Sequence, residues 1–399
     1  MSALAVTVVG GGMITHDQIL PSLYHLQRQG AIGQIAVCAL NARPLRELAE
    51  SERFARAFPG QSFVPFPPLD ADPDAPHPAL FRQVIEKMPP RNLVVVALPD
   101  HLHFEAIMTA LAADQNVLSV KPLVLKTSDA LAIEREARAR GLLVAAEYHK
   151  RFDDRSLMAR QAYRQGLFGE FKLGSCCLLE KWYYRHSNFQ NWCTVEHSDA
   201  FTYIGCHYVD LVHFITGLLP VAVSVYGVRD RFPNGNEGFL WTDARVVWNN
   251  GACLNVQNGL GFPDDAPGTN TQGLTLYCGG EDKGALLEHS DQYRGLKHSY
   301  TRKPDSSGGT VYAEPSPDYF QYVDLGGKGL TPVGYGYRSV EHIVSSIVSV
   351  ESRPELLDEI DRAGIIATPR NSGYNERVIE AARESIVNGG RQVEIRGAQ

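Results

Sequence analysis

The sequence predicts an α/β protein of two parts: a doubly wound parallel sheet, then an α+β domain with an open, mostly antiparallel sheet. Three observations carry this. The apolar, β-branched run Val6-Thr-Val-Val9 ends in Gly10-Gly11-Gly12, and a segment of helical period follows (Ile14, Ile19, Leu20, Leu23, Leu26). Apolar runs and helical stretches then alternate to about residue 146, the pattern of βα units wound around a parallel sheet. Beyond Glu147-Tyr148-His149-Lys150-Arg151-Phe152, strand-like segments follow one another with few helices between. The division expected is 1–148 and 149–399, with the C-terminal helix free to pack back on the first domain.

The totals agree with this. A chain of 399 residues exceeds one ordinary core and suggests two domains. Its 44% hydrophobic and 21% charged residues are those of a soluble globular protein. A net charge of −7 and a pI near 6.0 argue against nucleic acid as a partner. No apolar run approaches the roughly 18–20 residues of a membrane helix. The apolar N-terminus lacks a preceding positive region and reads as a first strand, not a signal peptide. Seven cysteines without a CxxC pair suggest neither a zinc site nor a disulfide framework, so a reducing, cytoplasmic setting is expected and no metal.

Strand, glycine turn and helix are the context of a dinucleotide fingerprint. Gly10 permits the turn, and Gly12 lets the backbone approach a pyrophosphate drawn to the helix N-terminus beside Met13 and Ile14. Thr15 stands where a third glycine is usual. Residues 35–40 form a second strand, followed by a helix from Asn41-Ala42-Arg43-Pro44 through Phe58. An NAD site usually ends that strand in Asp or Glu; here stand Ala39, Leu40 and Asn41. Asn41 could bond a ribose, and Arg43 could meet a 2′-phosphate or stack on adenine. The cofactor is thus NAD or NADP, NAD before NADP. Residues 59–80, with seven prolines and Asp70, Asp72 and Asp74, read as a surface loop.

Leu93-Val-Val-Val-Ala-Leu98 is the continuous apolar run of a buried parallel strand. It ends in Pro99-Asp100-His101-Leu102-His103, and a helix over 104–113 follows. A strand over 117–120 ends at Lys121-Pro122, then come a helix through Ala139 and a strand over 142–146. Ligands of open α/β sheets sit beyond the C-terminal strand ends, so the glycine turn, the Pro99–His103 stretch and Lys121 point at one crevice. Proline after Lys121 biases its backbone to the extended form.

In the second half, residues 170–180, 221–229, 243–249, 252–260 and 273–278 are strand-like. Asn249-Asn250-Gly251 and Glu281-Asp282-Lys283-Gly284 read as turns, 302–318 as a loop, and 338–350 and 373–388 as amphipathic helices. Ser198 or Asp199 can cap a helix that runs to Thr216 and stops at Gly217. Asp199, Tyr203 and His207 recur at helical spacing, with Asp210 three later, so one face carries a proton-transfer side chain on each turn.

Together these pieces resemble the glucose–fructose oxidoreductase / inositol dehydrogenase / MocA family. The resemblance rests on Gly10–Gly12, Pro99…His103, Lys121-Pro122, Tyr148…Arg151-Phe152, Gly205…His207…Asp210 and the last helix from Val378 to Ser385. It implies a Rossmann domain first, then a domain whose open sheet is often a subunit interface, and a homodimer or homotetramer. It implies catalysis by a lysine and a histidine, which fall on Lys121 and His207. Two positions depart: Val120 replaces a Glu before the lysine, and Tyr203 replaces an Asp four before the histidine. A phenol of pKa near ~10 cannot orient an imidazolium by charge as a carboxylate does, so Tyr203 enters as a hydroxyl contact or relay, with Asp199 or Asp210 left to support His207.

The chemistry expected is oxidation of a secondary ring hydroxyl of a sugar, glycoside or cyclitol, with hydride passing to the nicotinamide. His207 is the base, and Lys121 the cation that polarises the oxygen. Cofactor contacts are expected from Gly10, Gly12, Met13, Ile14, Asn41, Arg43, Pro99, His101, His103 and Lys121. Substrate contacts are expected from Lys121, Tyr148, Arg151, Trp182, Tyr183, Trp192, Asp199, Tyr203 and His207, with Lys150, His186 and Asn188 in the same pool. Two other readings stay open: a redox-neutral cycle that cleaves or epimerises a glycoside, and a non-catalytic cofactor-sensing regulator.

Overall fold

The computed structural model describes residues 3–266, 270–280, 283–290 and 319–397. The chain divides into two compact units: Met1–His149 with Tyr322–Glu376, and Lys150–Gln321 with Arg377–Gln399.

The first unit begins with β1 (Leu4–Val9), a π-turn (Thr15–Ile19) that continues into α1 (Leu20–Arg28), and β2 (Ile32–Cys38). It goes on through α2 (Arg43–Ala49), α3 (Glu52–Ala57), β3 (Val64–Phe66), α4 (Leu80–Glu86), β4 (Leu93–Val96), α5 (His103–Ala112), β5 (Asn116–Val120), α6 (Thr127–Arg140) and β6 (Val144–Glu147). All six strands are parallel, in the order β3-β2-β1-β4-β5-β6. The chain therefore winds outward from β1 to β3, returns to the middle, and winds the other way from β4 to β6. Helices cover such a sheet on both faces, which is why Leu93, Val94, Val95 and Val96 are all fully buried and read as an unbroken apolar run.

Two local expectations are corrected. The helix expected through Phe58 breaks, because the Ser51 side chain accepts from the Phe54 N–H and starts a new helix, α3. The proline-rich loop contains a short strand, β3, which finds a partner only through tertiary pairing with β2.

The second unit contains α7 (Asp154–Arg164), β7 (Glu170–Lys181), a π-turn (Phe201–Gly205) continuing into α8 (Cys206–Thr216), β8 (Pro220–Arg231), β9 (Glu237–Trp248), β10 (Cys253–Phe262), β11 (Asn270–Gly280) and β12 (Lys283–Ser290). Its sheet runs β12-β11-β7-β10-β9-β8 and ends on β15 (Val393–Glu394). Every neighbouring pair is antiparallel except β7 with β10. Gly251, at φ +82°, closes the expected Asn249-Asn250-Gly251 turn between β9 and β10. Residues 281–282 of the second expected turn and the loop expected over 302–318 lie outside the described residues. Leu173, Tyr277 and Leu286 stand opposite one another on β7, β11 and β12 and are about half exposed, so this sheet face is open.

After β13 (Gln321–Val323) and β14 (Thr331–Val333), the chain adds α9 (Tyr335–Ser352), α10 (Leu356–Ala363) and α11 (Pro369–Ser372) to the first unit. Helix α9 packs on α1, β6 and β14, and the Ala146 N–H donates to Ala367 O at 2.8 Å. The first unit is therefore not the continuous stretch 1–148. Segment 322–376 completes it, whereas α12 (Tyr374–Val387) passes at Arg377 into the second unit, where Ser385 accepts from the Val225 N–H of β8. The segment that joins the first unit is thus α9–α11, with the first three residues of α12. An amphipathic helix shows that it buries a face without showing against which core.

Near the end of α8, His213 bonds Leu218 O through Nδ1 at 2.8 Å, and burial, aided by Arg151 and Arg164 and opposed by that bond and by Asp210, pushes its pKa down to about 4. The folded unit holds His213 neutral while the unfolded chain protonates near pH ~6.5, so stability is complete above that pH and falls as pH drops toward 4. The loss expected from this group is roughly 3 kcal/mol. Urea midpoints of wild type and His213→Gln across that window check it: the variant should show a shallower acid loss.

Candidate active site

The strand order reverses between β1 and β4, and a crevice forms where neighbouring connections leave in opposite directions. The glycine turn sits there. The Gly10 N–H donates to Cys38 O and the Ala97 N–H to Val9 O, both at 2.8 Å, which draws the ends of β1, β2 and β4 together. Gly10 has φ +118°, and a Cβ there would lie 2.0 Å from Ala97 O. Gly12 is exposed, with nothing within 4 Å of the Cβ position, so the backbone is open to a bulky ligand. Thr15 is buried and donates its hydroxyl to Gly10 O at 2.7 Å. It replaces the usual glycine by locking the turn, and the π-turn gives it room at the helix start. The amides of this first turn have few intrahelical partners and face an open crevice, so the residues present fit a dinucleotide pyrophosphate.

The other strand ends differ in what they offer. His101 is exposed, while Pro99 and Lys121 are partly exposed. His103 is buried, its ring nitrogens 2.8 Å from Pro122 O and 2.8 Å from Leu98 O. It braces the ends of β4 and β5, so the cofactor contact expected of it is corrected to a positioning role for the Lys121-Pro122 bend. Arg43 is exposed and forked onto Asp74, and Asn41 is partly exposed at the end of β2. Met13 and Ile14 line the helix start, partly exposed.

Beside β5, the last residue of β6 carries a cluster that the sequence reading missed. Glu147 is buried and accepts from Gln18 Nε2 (2.9 Å), from the Ser339 hydroxyl and from His149 Nδ1 (2.9 Å). Gln18 also donates to Gly336 O, and the His149 ring stacks on Tyr335. A carboxylate ending an otherwise apolar buried strand was the available signal, since such a charge persists only with partners. Tyr148 is buried at the same crossing.

In the second unit, the expected face of α8 and its lead-in is rearranged. The π-turn shifts the helical spacing, so Asp199, Tyr203 and His207 do not form one straight row. Gly205 allows this: a Cβ would meet Asn258 Oδ1 at 2.6 Å and the Phe201 ring at 2.8 Å. Asp199 is buried and turned into the helix start, accepting from the Thr202 N–H (2.8 Å) and hydroxyl (3.0 Å). Burial pushes its carboxyl pKa up. It thus bonds the helix start, as one of the two cap candidates of the sequence.

Arg151 and Asp210 form a buried fork, Nε to Oδ2 at 2.7 Å and Nη2 to Oδ1 at 2.6 Å. Arg151, expected among the substrate contacts, is thereby buried in an ion pair with Asp210. Lys150, in a charged run of the sequence, is buried with Nζ 2.5 Å from Gln272 Oε1. Tyr203 is partly exposed, its ring edge-on to Phe189 (4.7 Å) and Trp192 (5.5 Å). Trp192 is mostly buried, whereas Trp182, Tyr183, His186 and Asn188 are exposed. The Arg185 guanidinium lies 3.9 Å from the Trp182 ring centroid and holds that ring in place. His207 is mostly buried on the first turn of α8.

A parallel sheet in this order, with an open glycine turn at its reversal point, defines a dinucleotide-binding α/β domain. Residues 4–148 match the model of the oxidoreductase family with an NAD-binding Rossmann fold (GFO_IDH_MocA). Inositol 2-dehydrogenase 1 of Saccharopolyspora erythraea is 34% identical over 140 residues, which is 35% of this chain and 39% of that protein. The match thus spans about two fifths of that relative's length. Among solved structures, GenD2 from gentamicin A biosynthesis in complex with NAD is similar with a TM-score of 0.68 at 18% identity, covering 100% of this chain and 97% of that one. Scyllo-inositol dehydrogenase from Lactobacillus casei, solved with NAD(H) and scyllo-inositol, gives 0.66 at 15%, covering 98% and 99%. At these identities the likeness is one of fold, and it extends over both units. Among the described residues, no helix is long and apolar enough to cross a membrane.

Two outcomes test this description. Gly10→Ala should destabilise the first unit by about 3 kcal/mol or more, since it combines a strained φ with a clash against Ala97 O, and a thermal melt will show it. Asp210→Asn should cost about 3–5 kcal/mol by leaving Arg151 buried without its counter-charge. The double change Arg151→Met with Asp210→Leu should recover most of that in urea denaturation.

Proposed function

We propose that the chain is an NAD-dependent dehydrogenase that oxidises a secondary ring hydroxyl of a sugar, glycoside or cyclitol. The observation that supports it most is the glycine turn: Gly10 pressed against Ala97 and Gly12 left open, at the reversal point of the parallel sheet. NAD, when bound, supplies the hydride acceptor. Gly10–Gly12, Met13 and Ile14 would hold its pyrophosphate, and Asn41 its adenosine ribose. The relatives' names, inositol 2-dehydrogenase and scyllo-inositol dehydrogenase, support a polyhydroxylated ring as substrate.

The remaining work falls to side chains. Lys121, at the end of β5, donates to the reacting oxygen and stabilises it as the alkoxide develops, which lowers the barrier to losing the proton. His103 keeps the bend after Lys121 in place through Pro122 O. His207 takes the hydroxyl proton as general base. Tyr203 and Trp192 offer aromatic faces that suit the C–H edges of a sugar ring, with the phenol tip for a hydroxyl. Trp182 and Tyr183 belong to the same proposed set. The setting proposed is cytoplasmic, and the assembly a homo-oligomer.

The test is absorbance at the reduced-nicotinamide band with NAD against a panel of inositols, sugars and glycosides. Growth of that band with one substrate class is expected. A flat trace across the panel, despite measured NAD binding, would overturn the dehydrogenase in favour of a redox-neutral cycle or a regulator. With the substrate in hand, Lys121→Ala and His207→Ala should each lower kcat by about 10²–10⁴-fold. His207→Ala should leave NAD affinity unchanged.

A further inference from the structure

The end of β2 lacks the acid that normally meets the adenosine ribose, and Ala39, Leu40 and Asn41 stand there instead. A carboxylate nevertheless reaches this wall from elsewhere. A Cβ on Gly11 would lie 3.3 Å from both Ala39 Cβ and Pro44 Cβ, so residues 39–44 flank the glycine turn directly. Arg43 opens α2 within that segment. Its guanidinium is forked by Asp74: Nε to Oδ1 at 3.0 Å, Nη2 to Oδ1 at 2.6 Å and Nη2 to Oδ2 at 2.6 Å.

Asp74 belongs to the proline-rich loop, which several bonds dock on the end of β2. The Arg43 N–H donates to Pro73 O (3.2 Å), and the His77 N–H to Leu40 O (2.6 Å). Arg46 reaches across to Leu69 O (2.6 Å) and Ala71 O (2.8 Å), and the Asp74 N–H donates to Asp72 Oδ1 (3.0 Å). The loop therefore holds Asp74 in place rather than letting it drift in solvent.

We propose that Asp74, acting on Arg43, makes this site selective for NAD over NADP. The inference rests on the nucleotide-binding reading of the first unit and deepens it. Free, Arg43 would be an invitation to a 2′-phosphate, because guanidinium and phosphate pair through two parallel bonds. Forked by Asp74, its Nε and Nη2 donors, the edge suited to a paired contact, are engaged and its charge is answered. A phosphate bearing about −1.5 to −2 charges would have to displace the carboxylate to use that edge, and would in any case lie near Asp74. A 2′-hydroxyl carries no such charge and meets no such repulsion. The loop thus supplies, from about 30 residues downstream, the negative charge that β2 omits.

The experiment is calorimetric titration of the full chain with NAD and with NADP at low ionic strength, where exposed charges are least screened. Wild type should bind NAD more tightly by about tenfold or more. Asp74→Asn should tighten NADP by about tenfold with NAD little changed, and adding Arg43→Ala should abolish that gain. Both positions are exposed, and circular dichroism of the variants checks that they fold. An unchanged NAD-to-NADP ratio in Asp74→Asn, or tighter NADP binding by wild type, would overturn the role of Asp74 and leave the nucleotide site standing. Binding of neither nucleotide by wild type would overturn the nucleotide site itself, and this inference with it.

Discussion

The approach of Gly10 to the carbonyl of Ala97 is the constraint on which the first unit depends. No side chain fits between the end of β1 and the end of β4, and the backbone at Gly10 takes a φ that other residues resist. Everything at the crevice refers to this contact. It sets where the helix after β1 starts, and so where its unpaired amides point. It also leaves Thr15 near enough to bond back to the Gly10 carbonyl. A missing third glycine would ordinarily weaken the case for a nucleotide turn. Here the π-turn absorbs the larger residue, and the hydroxyl converts it into a tie.

Much of this was legible because it is local. A β-branched run, a glycine cluster and a helical period state strand, turn and helix within about twenty residues, and Leu93–Val96 states a buried parallel strand by composition alone. What was not legible depends on partners far away in sequence. Gly205 and the π-turn beside it make sense only once Asn258 of β10 lies against them. Arg151 and Asp210, 59 residues apart, each look like polar site candidates until they are seen to consume one another. Asp199 read both as a candidate cap and as a substrate contact, and only the bonds of its side chain back to Thr202 favour the first. The docked loop carrying Asp74 was legible only as irregular, since proline-rich composition says what a segment cannot form and nothing about where it rests.

The two units manage buried charge in different ways. In the first, Glu147 is surrounded by donors from Gln18, Ser339 and His149. In the second, Arg151 and Asp210 pair as ions, and Lys181 donates to the carbonyls of Pro263, Asp264 and Ala266. Each arrangement lowers the cost of desolvating a charge, and each makes the loss of a single partner more damaging than the loss of both. Polar residues that look functional in the sequence are thus divided between those left partly exposed, such as Lys121 and Tyr203, and those buried with partners inside their own unit.

The return of residues 322–376 to the first unit has a consequence for how the chain is made. Gln18 meets Gly336, and Glu147 meets Ser339, across separations of 318 and 192 residues. A nascent chain that has just emerged through β6 therefore possesses all six parallel strands but lacks the helix that covers their flank and supplies partners for Glu147. It must wait, incompletely closed, while strands β7 to β12 of the other unit are synthesised in between. Contacts of such long span are paid for in loop entropy before they give anything back, which slows the final docking step. The first sheet to be made is thus covered only late in synthesis, and its apolar flank is a surface in need of protection meanwhile.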